Sequence, residues 1–403
     1  MVDRVTVLGA GLAGVSAAGR LRELGYDGRL TIIGAEDRPP YDRPPLSKGL
    51  LLGTRTSADV ELRPPEWYAD NAIELRTGER VEHLRVADDE IVVLATGGVP
   101  RALAVPGADH PAVITLRTVS DAESLRDRLV PGARVGVVGA GLIGSEVASA
   151  ARVLGCSVVL LDPAARPLER VVGREVAEHL HARHRRHGVD LVEGVVTGVE
   201  SLGPVARLWT ATGTAVDCDV VVVGIGIVAD VSIAESAGLV VDRGVLVDDS
   251  QRTSHPRVFA AGDVARPRGR PGTEHWDAAV QEGEAAAAAI VGAPITRRAP
   301  WFWSDRHGSR LEVVGDPLGA SVVRGSLDGA FVAFALRDDV VVGAVALDRT
   351  ADVPAVRRLV DRAVPVDRRA LVDESVDLRA LARTPRSTPW DDLARPSPEG
   401  NLP

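Results

Sequence analysis

Apolar residues in this chain gather in short, nearly unbroken runs: Val5 to Leu8, Leu30 to Ile33, Ile91 to Gly98, Val135 to Val138, Ser157 to Leu161, Val220 to Gly226 and Val258 to Val264. Runs of this length without polar alternation predict strands covered on both faces, as in a parallel sheet. Helical patterns follow the first and fourth runs, the first reaching Leu24, and Asp277 to Ile290 is so rich in alanine that helix propensity alone predicts a helix. From about 300 to 381 the pattern predicts three strands followed by helix. Residues 382–403, rich in Pro, Ser and Arg, predict a mostly disordered tail. The expected class is α/β, with two strand-turn-helix units and a smaller α+β domain.

The glycines turn the pattern into chemistry. Gly9-Ala10-Gly11-Leu12-Ala13-Gly14 joins the first strand directly to its helix. Gly9 permits the tight turn, Gly11 lets a pyrophosphate approach the backbone, Gly14 lets helix and strand pack closely, and the helix N-terminus offers N–H donors. The second strand ends at Gly34, and Glu36 stands where a ribose hydroxyl needs an acceptor. The arrangement recurs as Gly139-Ala140-Gly141-Leu142-Ile143-Gly144, with Glu146 in the helix and Asp162 closing the next strand. Two such sites imply two dinucleotides. Asp162 accepts from the 2′-hydroxyl of NAD and repels the 2′-phosphate of NADP, although Arg166 and Arg170 nearby leave NADPH open as the lesser alternative. Three further strands stop at Thr96-Gly97, at Gly226 and at Gly262-Asp263. Glu274-His275-Trp276 precedes the alanine-rich helix, whose N-terminus suits the negative end of a reduced flavin ring.

Composition narrows the class. With 403 residues, two or three domains are expected, and 45% hydrophobic with 26% charged residues is ordinary for globular proteins. No apolar run reaches the roughly 18 residues needed to cross a bilayer, and the N-terminal stretch reads as strand and turn rather than a targeting segment, so a cytoplasmic protein is expected. A net charge of −9 argues against generic nucleic-acid binding. Cys156 and Cys218 are the two cysteines and form no close pair, which removes metal cages, iron–sulfur ligation and a local redox disulfide. The basic helix at 179–187 carries His179, His181, His184 and His187. The spacing of the last three allows a metal-binding side, but without a carboxylate or cysteine motif a solvated basic face is the favoured expectation. Lys48, in PYDRPPLSK, is the chain's one lysine; it reads either as an ordinary surface residue or as a compact ammonium kept for chemistry that Arg cannot do.

Taken together, GAGLAG, PYDRPPLSK, LATGG, LRT at 116–118, GAGLIGSEVA, AAGDVA, EHW and PWFWSD resemble the FAD-dependent pyridine nucleotide oxidoreductases over about residues 2–380. PYDRPPLSK and PWFWSD narrow the resemblance to the ferredoxin reductases of bacterial cytochrome P450 and Rieske-type oxygenase systems. The resemblance implies two Rossmann-like, glutathione-reductase-like dinucleotide domains plus a C-terminal α+β domain. FAD would be held by 1–108 and 231–298 and NADH by 109–230, with the α+β domain at 299–383 and the tail at 384–403. It implies Ala13 and Glu36 at the adenosine end of FAD, Arg43 and Lys48 along the flavin, further contacts from Val81, Thr96, Arg117 and Trp303, Gly262 with Asp263 at the ribityl chain, and Trp276 at the ring. On the NADH side it implies Gly139, Gly141, Gly144, Glu146, Asp162 and Gly226, with Glu146 close to Lys48.

Departures accompany the resemblance. The stretch RVEHLRVADDEIVVLATGG is about a dozen residues shorter than in the family, implying a reduced antiparallel sheet beside FAD. Ala35, Ala278-Ala279, Glu282-Gly283 and Arg306 also differ, the last from a glutamine. Without a suitably placed cysteine the electrons must leave from flavin, which accepts a hydride and releases single electrons, as a two-iron, two-sulfur ferredoxin requires. A cysteine-independent NADH oxidase or monodehydroascorbate-type reductase, and an NADH-switched binding flavoprotein, are the alternatives. An acidic ferredoxin would need basic residues at its dock, and Arg297, Arg298, Arg306, His307 and Arg310, with Arg266, Arg268 and Arg270, are the candidates. Trp301, Phe302 and Trp303 read as core for at least one ring and as cofactor- or partner-facing for another.

Overall fold

The structure is a computed structural model that describes residues 2–383; the tail expected at 384–403 lies outside them. The elements that carry the argument run, in chain order, β1 (Arg4–Leu8), α1 (Leu12–Glu23), β2 (Arg29–Ile33), β3 (Ile73–Arg76), β4 (Glu90–Leu94) and β5 (Val113–Thr115). There follow β6 (Arg134–Val138), α2 (Leu142–Val153), β7 (Ser157–Asp162), α3 (Arg174–Arg186), β8 (Val189–Glu193), β9 (Val220–Val223), β10 (Val258–Ala260) and α4 (Trp276–Val291). The last are β11 (Trp301–Arg306), β12 (Ser309–Gly315), β13 (Val322–Gly325), β14 (Phe331–Arg337), β15 (Val340–Leu347) and α5 (Val353–Arg362).

The described chain divides into two compact units, the first comprising 2–101, 117–119 and 226–297, the second 102–116, 120–225 and 298–383. The first is built on a parallel five-stranded sheet in the order β10-β4-β1-β2-β3. Val5, Val7, Ile32 and Val93 are buried with Ala17, Ala18 and Leu21 of α1 and Ala286 and Ala287 of α4. Glycine sets the approach of those two helices, because a Cβ on Gly283 would stand 2.4 Å from Ala13 O. Residues 77–89 form no strand, and Val81, Leu84 and Val86 pack against the apolar cluster containing Leu94, Val258 and Ala260.

The second unit repeats the first sheet's plan in the order β5-β9-β6-β7-β8, again all parallel. Strands 196–202, 205–210 and 215–218 form a separate antiparallel sheet whose Ala206 and Leu208 share a core with Val221 and Val223. In both parallel sheets the strand before the glycine turn has the next strand on one side and a still later strand on the other, β2 and β4 beside β1 and β7 and β9 beside β6, so strand order reverses at that turn, where ligands of open α/β sheets bind.

The same unit ends in an antiparallel sheet in the order β11-β12-β15-β14-β13, with α5 packed on one face. Five strands stand where three were expected. Asp338 and Asp339, both at positive φ (49° and 60°), make the tight turn that splits an apparently continuous apolar run into β14 and β15. Three other expected strands are shorter: β4 ends at Leu94, β9 at Val223 and β10 at Ala260, each before a glycine at positive φ (Gly97, Gly226 and Gly262). No helix among the described residues is long and apolar enough to cross a membrane.

Candidate functional site

In the first unit, Gly9 adopts φ +119°, and a Cβ there would lie 2.1 Å from Ala95 O at the end of β4. A Cβ on Gly14 would lie 2.1 Å from Gly9 O, whereas one on Gly11 would meet nothing within 4 Å. Two glycines therefore close the turn and the third leaves a cradle over a helix start that carries no acidic residue in its first turn. Gly262, at φ +78°, brings its turn within van der Waals contact of α1, since a Cβ would stand 2.9 Å from that of Ala13. The next residue, Asp263, accepts from Arg117 Nη2 at 2.8 Å. Burial and the like charge of Arg43 pull the Arg117 guanidinium below its ordinary value, against the attraction of Asp263.

The PYDRPPLSK stretch is tied into the same unit at several points. Tyr41 Oη donates to Glu36 Oε2 at 2.7 Å, and burial with that carboxylate pushes the phenol up to about 12. Arg43 lies 3.8 Å from Glu36, and Trp276 Nε1 donates to Asp42 Oδ1 at 2.8 Å from the first residue of α4. Burial raises the Asp42 carboxyl, with Trp276 and the Lys48 charge opposing it. Lys48 follows a single 3-10 turn, Pro44–Ser47, and its ammonium reaches Pro44 O at 3.3 Å. Thr96 Oγ1 donates to Asp230 O at 2.8 Å, and Gly226 O accepts from Arg101 N at 2.9 Å, so both help tie the 96–101 segment to 226–230. Val81 serves the apolar cluster. Thus Gly9, Gly11, Ala13, Gly14, Glu36, Arg43, Lys48, Arg117, Gly262, Asp263 and Trp276 all belong to this unit.

In the second unit the turn repeats: Gly139 has φ +100°, with a Cβ position 2.5 Å from Gly224 O, a Cβ on Gly144 would meet Gly139 O at 1.9 Å, and Gly141 again faces open space. Asp162 has backbone partners of its own. Its Oδ2 accepts from Ala140 N at 2.7 Å and its Oδ1 from Ala164 N at 2.8 Å, so it fixes the glycine turn from the end of β7. Glu146 is buried in α2 and accepts from Ser304 Oγ at 2.7 Å. Trp303 stacks on Trp301 at 5.0 Å with Arg310 over its ring, while Phe302 is buried in the core.

The expectations for Arg306, His307 and the histidine helix are corrected. Arg306 and His307 are buried, because β11 turns their face toward α2 and α3, and so they present no docking surface. Arg297 and Arg270 are held by Asp249, Arg266 by Asp242, and Arg310 by Asp305 and Glu312. The 179–187 helix is solvated on one side only: Arg185, Arg186 and His187 are exposed, whereas Leu180 and His184 are buried, His307 Nε2 lies 2.8 Å from His184 Nδ1, and His187 stacks on His307 at 4.3 Å. No group of three or more His, Cys, Asp or Glu among the described residues is placed to hold a metal. Cys156 and Cys218 are both buried and unbonded to each other, and burial pushes the Cys218 thiol up to about 12, which makes it inert. Sequence reading assigned nothing to Tyr41, Asp42, Glu282 or Ser304, whose partners lie elsewhere in their units; Glu282 Oε2 accepts from Gly262 N at 2.8 Å.

Comparison with known proteins agrees with this geometry. The family model described as pyridine nucleotide-disulphide oxidoreductase matches residues 3–283, and the reductase C-terminal model matches 301–382. The chain is 34% identical to rhodocoxin reductase of Rhodococcus erythropolis, over 97% of each chain. It is 36% identical to putidaredoxin reductase of Pseudomonas putida, over 94% of this chain and 96% of that one. A crystal structure of the covalent putidaredoxin reductase–putidaredoxin complex superposes with a TM-score of 0.88 at 34% identity, covering 94% of this chain and 99% of that one.

Proposed function

The chain belongs to the pyridine nucleotide-disulphide oxidoreductase family, among the ferredoxin reductases of bacterial oxygenase systems, and from that premise we propose that it oxidises NADH, holds FAD, and reduces a two-iron, two-sulfur ferredoxin that feeds a cytochrome P450 or Rieske-type oxygenase. The observation that carries the reading is the duplicated cradle: Gly11 and Gly141 each leave open the space before an acid-free helix start, in turns closed by Gly9 with Gly14 and by Gly139 with Gly144. The residues present fit both dinucleotides.

When bound, FAD supplies the step between a two-electron hydride and single electrons. The chain's own part is to bind and orient. Gly9, Gly11 and Gly14 would take the FAD pyrophosphate, Ala13 and Glu36 the adenosine end and Asp263 the ribityl hydroxyls, while Arg43 and Lys48 would lie along the flavin, Trp276 would meet its ring, and Val81, Thr96, Arg117 and Trp303 would add further contacts. Gly139, Gly141, Gly144, Asp162 and Gly226 would hold NADH. Lys48 and Glu146 are the residues assigned to hydride transfer. The buried thiols of Cys156 and Cys218 favour direct exit of electrons from flavin over a disulfide relay.

The test is reduction of a panel of purified ferredoxins by NADH and this protein. Rapid turnover with at least one, against slow discharge to oxygen alone, supports the reading. Fast oxygen reduction that no ferredoxin accelerates would make the protein an oxidase instead.

A further inference from the structure

Strand β11 places alternate side chains on opposite faces: Phe302, Ser304 and Arg306 are buried, while Trp301, Trp303 and Asp305 are less so. The buried face meets α2, where Glu146 and Ser149, three residues apart, share one side of the helix. Glu146 Oε1 accepts from Ser304 Oγ at 2.7 Å, and Ser149 Oγ accepts from His307 N at 2.7 Å. Between these two ties sits Arg306, 4% exposed, whose Nε and Nη2 have no hydrogen-bond partner. A guanidinium taken out of water in this way requires a compensating charge nearby, and Glu146 is the carboxylate whose field acts on it.

We propose that Ser304 and Arg306 are positioning residues for Glu146, the serine hydroxyl fixing its carboxylate in place and the arginine, buried on the same face of β11, supplying the opposite charge. The inference rests on the assignment of Glu146 to hydride transfer. The charged and titratable groups around the pair are Arg152 on α2, Arg183, His184 and His187 on α3, and His307 in the β11–β12 turn. Burial holds His184 and His307 neutral near pH 7, and Arg183 is engaged with His307 O and Ser309 Oγ. Arg306, lowered only to about 10 by burial, remains a cation on the buried face of β11, and the Glu146 charge acts against that lowering.

Two measurements on the FAD-loaded protein test this. The first is a thermal-unfolding cycle of Glu146→Gln, Arg306→Gln and the double variant. Coupling is expected, with the double variant more stable than the two single losses predict, and simple additivity would overturn the charge pairing. The second is the rate of flavin reduction by NADH as a function of pH. Arg306→Gln should move the acid limb upward by ~1 pH unit, as loss of one nearby opposite charge allows. Arg306→Lys should hold the limb in place. Ser304→Ala should slow reduction roughly tenfold, the scale of one hydrogen bond to a charged group, with NADH affinity little changed, and Ser304→Thr should restore it. Folded Arg306→Gln and Ser304→Ala proteins with the parent rate and profile would overturn the proposal. If Glu146→Gln itself reduces at the parent rate, the assignment of Glu146 fails, and the unfolding cycle still decides whether the three residues are coupled.

Discussion

Glu282 Oε2 accepts a hydrogen bond from Gly262 N at 2.8 Å, tying the middle of α4 to the turn that presents Asp263. Burial pushes the Glu282 carboxyl up to about 8, with the Asp263 charge adding to the shift and Arg270 and Arg297 opposing it. Because the folded value is raised, the folded state binds the proton more tightly than the unfolded chain. Stability is then complete below the unfolded value of about 4.3 and is lost as pH rises toward about 8. Glu282→Gln keeps an oxygen for Gly262 N and removes the charge. The melting temperature of the variant should match the parent near pH 5 and exceed it increasingly from pH 6 to 9, by a few degrees, on the scale of about 2–4 °C per kcal/mol. Parallel melting curves across that range would show that the carboxyl stays ionised.

The histidine contact on α3 has the opposite sign. His184 and His307 are lowered to about 2 and about 4 by burial, and Arg306 adds to both. Groups buried neutral must charge in acid, so stability is present above about pH 6.5 and falls as pH drops through the range toward 4. His307 has φ +51°, a conformation asparagine accepts. His307→Asn should cost about 1–3 kcal/mol at pH 7.5, the range for leaving a buried ring nitrogen of His184 unpaired, and should flatten the acid limb. An acid limb as steep as the parent's would place the titration elsewhere.

What the chain's letters reveal is local. The glycine turns were legible because the three glycines of each fall within six residues, although the carbonyls that Gly9 and Gly139 must clear, Ala95 O and Gly224 O, come from distant segments, and the apolar strands because covered parallel strands need no polar alternation. Contacts between distant segments were not: Ser304 and Glu146 stand 158 positions apart, and Glu282 meets a turn 20 residues earlier. The histidine helix misled for the same reason, since its polar letters hide a face that β11 and β12 cover. In the C-terminal sheet, a two-aspartate turn inside an apolar run gave no glycine to mark the reversal at Asp338 and Asp339.

Asp162 separates a binding role from a structural one. It accepts from Ala140 N and Ala164 N, so Asp162→Ala removes both a ribose acceptor and a tie on the glycine turn. Under the proposed function, kcat/KM for NADH should fall at least tenfold, a loss of about 1.4 kcal/mol or more, while that for NADPH changes less and the preference narrows. Asp162→Asn can keep one of the two backbone bonds and should lose less of the melting temperature than Asp162→Ala. Unchanged selectivity in both variants would assign the discrimination to other residues.

The last prediction concerns the route of electrons. Cys156 donates weakly to Val130 O, Cys218 to Val216 O, and both thiols are raised by burial. Neither has the depressed pKa and accessible thiolate that a disulfide relay or a peroxidatic cycle demands. A Cβ on Gly136 would stand 2.6 Å from Cys218 Sγ, so that thiol is packed against β6 and has no room to approach a partner. Replacing both, Cys156→Ala and Cys218→Ala, should therefore leave NADH-driven ferredoxin reduction within about twofold of the parent, while costing roughly 1 kcal/mol of stability for each methyl-sized void. Labelling with a thiol reagent under native conditions should be slow in the parent and rise only on unfolding. A double variant that keeps its flavin and its fold but loses turnover would show that a thiol carries electrons, and direct exit from flavin would have to be abandoned.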